Sequence, residues 1–169
     1  SRLTKKMVEV IQEDATNPRG QRNVIDGEAE LLAGFEFNLY GKLGTTLYAP
    51  FTSTIDRAAG MLDANIPAFV PANMVAAPGG TTHFKIISAG AEVDFENESF
   101  VADSQETAIL PWDANATAAV ALSNAVTAAS THPLFLVLGI EFYQQVNGQM
   151  YSLKNGAFNA LAIVAVDGD

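Results

Sequence analysis

Apolar and polar residues alternate in short runs along most of this chain, and Gly, Pro and Asn break the runs apart. Alternation with a period of two marks a half-buried strand, because successive side chains leave a strand on opposite faces. Residues 30–38 (ELLAGFEFN) carry the alternating trio Phe35-Glu36-Phe37. Leu47-Tyr48-Ala49 reads as a short strand stopped by Pro50. Residues 66–71 (IPAFVP) are apolar but hold two prolines, which fits a sheet edge or a loop crossing the core. Pro78-Gly79-Gly80 predicts a turn, and residues 82–88 (THFKIIS) predict a strand. Ser88-Ala89-Gly90 predicts a bend, after which 91–98 continue extended.

The last third is the most regular. Residues 134–146 (LFLVLGIEFYQQV) predict a long strand with a bulge at Gly139. Asn147-Gly148 is the strongest short hairpin signal, since a two-residue type I′ turn needs positive φ at both positions. Residues 149–154 form the returning strand, Asn155-Gly156 turns again, and 157–166 (AFNALAIVAV) form the last strand. Residues 114–129 mix their signals: alanine favours helix, while Thr, Val and the β surroundings favour strand, which is the expectation. Many short strands, frequent turns and no long helix predict an all-β chain. The expected architecture is an antiparallel β-sandwich, jelly-roll-like, with an N-terminal arm. Asn17-Pro18-Arg19-Gly20 interrupts any regular element, which sets the arm at 1–22 and the body at 23–169.

Charge sharpens that division. The arm holds five of the nine basic side chains, Arg2, Lys5, Lys6, Arg19 and Arg22, against three acids, for a net +2. The body holds four basic residues and 16 acids, for a net −12. Within the arm, residues 3–14 (LTKKMVEVIQED) place Leu3, Met7, Val10 and Ile11 on one side of a short helix. The middle, MVEVI, equally suits an extended arm. A basic arm on an acidic body implies that one copy can dock on another.

Composition bounds the class. A chain of 169 residues with 49% hydrophobic content is long and apolar enough for one domain with a real core, and excludes a disordered chain. Charged residues are 17% of the chain, against the roughly 25–35% usual on a soluble surface. Either uncharged polar groups cover the rest, or part of the surface is buried against other subunits. The acidic body would repel phosphate, so nucleic acid is not an expected partner. No cysteine is present, which removes disulfides and thiolate chemistry. No apolar run approaches the ~20 residues of a membrane span, and no stretch reads as a signal peptide. Ser1 stands where a Met would, so an initiator Met or a longer leader is expected to have been removed.

Few residues offer chemistry. Glu92, Asp94, Glu96 and Glu98 alternate with Val93, Phe95 and Asn97, so on a strand the four acids share one face. Such a face is a solvated surface, an acidic docking strip for a neighbour's basic arm, or a Ca²⁺ site. A flat strand spreads its oxygens apart, whereas calcium wants six to eight converging, so metal is the least favoured. Glycosidase-type carboxylate pairs occur by chance in any acidic β-protein. The two histidines, His83 and His132, are too few for a multi-His metal site. Gly79-Gly80 lacks the lysine and helix of a phosphate loop. Trp112 is a candidate platform for a sugar ring, and Tyr143 and Tyr151 are placed to pair across the hairpin.

The expectation is therefore a non-enzymatic structural protein that assembles with copies of itself into a filament, tube or virus-like shell. Its arm (Arg2, Leu3, Lys5, Lys6, Met7, Val8, Val10, Ile11) docks on a neighbouring subunit, with no cofactor. An extracellular appendage or a virion is the expected setting. The alternative is a secreted or surface carbohydrate-binding β-sandwich using Trp112, and a carboxylate-dependent hydrolase ranks last.

Overall fold

A computed structural model describes residues 32–168. They form nine antiparallel strands in two packed sheets: β1 (Thr52–Asp56), β2 (Met61–Ile66), β3 (His83–Asp94), β4 (Ser99–Glu106), β5 (Leu110–Pro111), β6 (Val120–Ala125), β7 (Leu134–Val146), β8 (Gln149–Ser152) and β9 (Ala160–Asp167). The smaller sheet has the order β1-β2-β6. The larger is built on β3 and β7, which pair from His83↔Tyr143 to Glu92↔Leu134. The far edge of β3 carries β4 and β5, and the far edge of β7 carries β8 and β9. This is the antiparallel β-sandwich that the alternation predicts, with its strands divided three and six.

Even-numbered side chains of β3 and β7 face the small sheet. Phe84, Ile86, Leu134, Leu136, Leu138, Ile140 and Phe142 meet Leu62, Ala64 and Ile66 of β2 and Val120 and Leu122 of β6 in the main core. Odd-numbered residues form a second cluster on the opposite face: Ala89, Ala91, Val93, Phe135, Val137 and Ile163, with Phe35, Phe37, Phe95 and Leu161 packed against it. β7 is therefore buried on both faces from Leu134 to Ile140. A strand buried on both sides reads as a continuous apolar run, which is why LFLVLGI shows no alternation.

Several local expectations need correction. Residues 30–38 supply no full strand among those described. Gly34–Phe37 instead pair with the outer edge of β9, through Gly34 N–H to Ile163 O (2.8 Å) and Phe37 N–H to Leu161 O (2.9 Å). Residues 67–70 form the loop that the prolines suggest, with Phe69 buried in the main core, and only at Pro71 does a single helical turn open, Pro71–Met74, where the missing N–H costs nothing. The bend expected at Ser88-Ala89-Gly90 is absent, and β3 runs straight through it. Those small residues make room instead: a Cβ on Gly90 would lie 2.9 Å from the Asn124 Cβ on the facing sheet.

The bulge expected at Gly139 falls instead opposite Leu136 and Val137, with Val164 as the extra residue on β9. Gly139 serves close packing: a Cβ there would stand 2.6 Å from Leu161 Cδ1 and 2.8 Å from the Ala160 carbonyl oxygen. The Asn147-Gly148 turn is as expected, with φ of 51° and 78°. The last strand begins at Ala160, because Lys154, Asn155 and Gly156 all take positive φ and lengthen the connection. β9 does not follow β8 outward; both lie on the same side of β7. Tyr143 faces Ser152 and Tyr151 faces Gln144, so the two tyrosines are not opposite each other.

Gly139→Ala should cost about 1–3 kcal/mol, the range for overpacking a filled site. Urea unfolding measures it. An unchanged midpoint would mean that β7 and β9 are not this tightly packed.

Candidate functional site

Polar side chains gather at the end of the sandwich where the β1–β2 turn, the β3–β4 turn, the β6–β7 loop and the end of β9 meet. Arg57 stands in the β1–β2 turn. Its Nη1 donates to the carbonyl oxygens of Ser130 (2.8 Å) and His132 (2.7 Å). Its Nη2 donates to the Asp167 carbonyl oxygen (2.9 Å), and its Nε to the Asp167 carboxylate (3.2 Å). The planar guanidinium can do this because its donors leave in a fixed fork. One side chain thus ties three separate stretches of chain together.

The four acids expected to share one strand face do not do so. β3 ends at Asp94, and residues 95–98 form the turn to β4, so Glu96 and Glu98 leave the strand direction. Glu98 takes a positive φ of 52° to close that turn. Glu92 and Asp94 remain on the face toward the small sheet. Glu92 is buried and accepts the Thr127 N–H (3.0 Å), which anchors the β6–β7 loop. Asp94 accepts the Asn97 N–H (3.1 Å) and side-chain amide (2.8 Å), and lies 3.7 Å from His132 Nε2. The Asn97 amide, then its backbone N–H, holds the Asp94 carboxyl below its ordinary value of 3.8 against the cost of desolvation, with His132 adding to the effect. Among the described residues, no group of three or more His, Asp or Glu is placed to hold a metal ion.

A second polar cluster lies further along the outer face of β3 and β7. Lys85 is 2.8 Å from Glu106 and 3.5 Å from Glu141, and its ammonium sits 5.7 Å from the Tyr143 ring centre. The Tyr143 hydroxyl donates to Glu141 (2.8 Å). Burial works against the charge on Lys85, but Glu106, Tyr143 and Glu141 outweigh it and raise its pKa. The stability this supplies is present below the unfolded lysine value and is lost only as pH rises through the folded one. His83 is on the same face, with Nδ1 2.8 Å from Thr82 Oγ1. Trp112 is half-buried against the main core, and its indole N–H donates to the Val75 carbonyl oxygen (3.1 Å). The arm residues Arg2, Leu3, Lys5, Lys6, Met7, Val8, Val10 and Ile11 lie outside the described residues.

The sequence reading missed Arg57, the strands β1 and β2 on either side of it, and the whole of β4. A lone arginine in a polar stretch carries no signal of its partners, which come from residues 130, 132 and 167. The short apolar run Phe100-Val101-Ala102 between polar residues was the available signal for β4. Phe100 and Val101 are both exposed, at 39% and 45%. Among the described residues, β4 pairs with β3 on one side and with no strand on the other.

No family model matches this chain, and no curated protein matches it. Among solved structures, the human F-spondin reeler domain (fragment 1) is similar at 12% identity, over 70% of this chain and 91% of that one, with a TM-score of 0.23. A score that low carries no argument about fold or function.

Arg57→Lys keeps the charge and loses the fork. It should destabilise the fold by about 1.5–3 kcal/mol, the range for hydrogen bonds to charged groups. Thermal unfolding against wild type checks this. Asn97→Ala should move the Asp94 titration upward toward 3.8, read from carboxyl chemical shifts. Because a lowered folded pKa stabilises above the unfolded value and the effect is lost as pH falls, the variant should differ from wild type at neutral pH and converge with it in acid. An unmoved titration would remove Asn97 as the cause.

Proposed function

We propose that this protein is a non-enzymatic structural subunit that assembles with copies of itself into a filament, tube or shell, its N-terminal arm docking on a neighbour. The observation that carries the reading is the exposure of adjacent large apolar side chains at two places on a sparsely charged body. Leu39 and Tyr40, in one turn, are 85% and 82% exposed, and on β4 Phe100 and Val101 are exposed on opposite faces of the strand. Scattered apolar side chains are normal on a surface, but contiguous ones mark contact sites. Three of the body's four basic side chains are engaged: Arg57 with Asp167, Lys85 with Glu106 and Glu141, Lys154 over Phe158. Groups used in this way hold the scaffold rather than perform chemistry. The carbohydrate-binding reading ranks second, because the ring it would use, Trp112, is half-buried with its N–H already donated. An appendage or a virion would be the setting.

Light scattering on a size-exclusion column, with negative-stain images of the same fractions, tests the reading. The full chain should give regular assemblies, and the chain lacking residues 1–22 should lose them. A particle of one chain's mass at all concentrations would overturn the proposal.

A further inference from the structure

The ladder between β3 and β4 shows which β4 groups are left over. Thr107 N–H donates to the Ile86 carbonyl oxygen (2.9 Å), so Ile86 and Thr107 form a hydrogen-bonded position. In an antiparallel pair such positions recur at every second residue. Following the register, Ser99, Val101, Asp103 and Gln105 turn their backbone groups toward β3. Phe100, Ala102, Ser104 and Glu106 turn theirs outward, and among the described residues no backbone group bonds to them, although the Ser104 N–H donates to the Asp103 carboxylate (3.0 Å). The edge is eight residues long, about 26 Å at a strand's rise. The other long edge is not open in this way, since Gly34–Phe37 cover β9.

Acids border this edge. Glu96 and Glu98 are exposed in the turn that leads into β4, and Glu106, at its far end, is 59% exposed. Lys85 reaches Glu106 but neither of the other two. The four basic residues of the body leave it at −12, while residues 1–22 carry +2. In those residues Arg2, Lys5 and Lys6 precede the alternating apolar stretch Met7-Val8-Glu9-Val10-Ile11. A segment of 22 residues can extend to about 75 Å, enough to leave one subunit and lie along another.

We propose that the outer edge of β4 receives the N-terminal arm of a second copy of this chain, the arm adding its backbone to the free edge while its basic residues lie by Glu96 and Glu98. The inference rests on the self-assembly reading and names the surface which that reading leaves open. Edge addition takes affinity from main-chain hydrogen bonds and specificity from alternate side chains and charge. Phe100 on one face of β4 and Val101 on the other supply apolar contacts for alternate side chains of Met7–Ile11. The contact is heterologous, arm to edge, so repetition makes a ring or an open fibre.

The chain has no cysteine, so Ser104→Cys gives one attachment point beside the free edge for a benzophenone label. Labelled full-length chain is mixed with ¹⁵N-enriched wild type, irradiated, digested and mapped by mass spectrometry. Crosslinks to residues 1–22 of the ¹⁵N copy are expected. Crosslinks to the arm of the same copy alone, or to neither arm, overturn the proposal. Assembly of two full-length variants is measured in parallel: Ala102→Pro, which removes one outward N–H, and Glu96→Lys with Glu98→Lys. Both should stay monomeric with wild-type circular dichroism. If wild type assembles and the folded variants assemble equally, β4 is not the receiving edge and self-assembly stands. If wild type itself never assembles, the functional reading fails first. Should Ala102→Pro misfold, the crosslink map and the charge variant decide.

Discussion

The pairing of β3 with β7 is the interaction on which the rest of this structure depends. Both strands bury their backbones between two apolar layers, and a buried N–H or C=O without a partner is costly. Ten consecutive register positions, His83–Glu92 against Leu134–Tyr143, place those groups opposite one another. Every other strand of the large sheet attaches to one of these two, and the small sheet packs on their even-numbered side chains. A one-residue slip would exchange the two faces, putting Phe135 and Val137 where Leu136 and Leu138 meet β2 and β6. Gly90 and Gly139 guard against error at two points, since each leaves space that the facing layer already fills.

The polar groups of the scaffold follow from that arrangement. Long central strands leave their connections at the ends of the sandwich, where carbonyl groups have no ladder partner. Arg57 satisfies three of them from one side chain and pairs with Asp167, which fixes the turn, the loop and the last strand together. Two carboxylates accept the N–H groups left over nearby, Glu92 from Thr127 and Asp103 from Ala125 (2.9 Å). Asn124 is the exception within the core. Its amide donates to Ser88 Oγ (2.9 Å), while its own carbonyl oxygen is buried without a partner. Gly90 opposite leaves room for it, so the site is shaped for this side chain even though its hydrogen bonding is incomplete.

Legibility in the sequence tracked the range of the interaction involved. The β7–β8 hairpin could be read because Asn147-Gly148 encodes its turn locally. The two-sheet sandwich could be read because alternation and turn residues are also local. The bend at Ser88–Gly90 and the bulge at Gly139 were misplaced because small residues there answer to atoms far along the chain, Asn124 in one case and Leu161 in the other. The acids from Glu92 to Glu98 were read as one strand face because nothing in their types announces a turn. Asn97 closes that turn by bonding back to Asp94, and Glu98 accepts a positive φ. Arg57 was invisible for the same reason: its four hydrogen bonds reach residues 73 to 110 positions away.

The acids beside β4 resolve a difficulty that an open edge creates. A long exposed edge with Phe100 and Val101 on it invites pairing with any strand, including the same edge of another copy. Two β4 edges brought together antiparallel would oppose Glu96, Glu98 and Glu106 of one copy to those of the other, and like charges directly opposed are destabilising. A basic segment meets attraction at the same place. Under the proposed docking, charge would separate the arm from a second β4 edge where backbone hydrogen bonds alone do not distinguish them, which is specificity by exclusion. Of the body's basic residues, Arg57 and Lys85 are held in ion pairs within the body itself. A free lysine beside Glu98 would weaken the repulsion between edges and the attraction for the arm together.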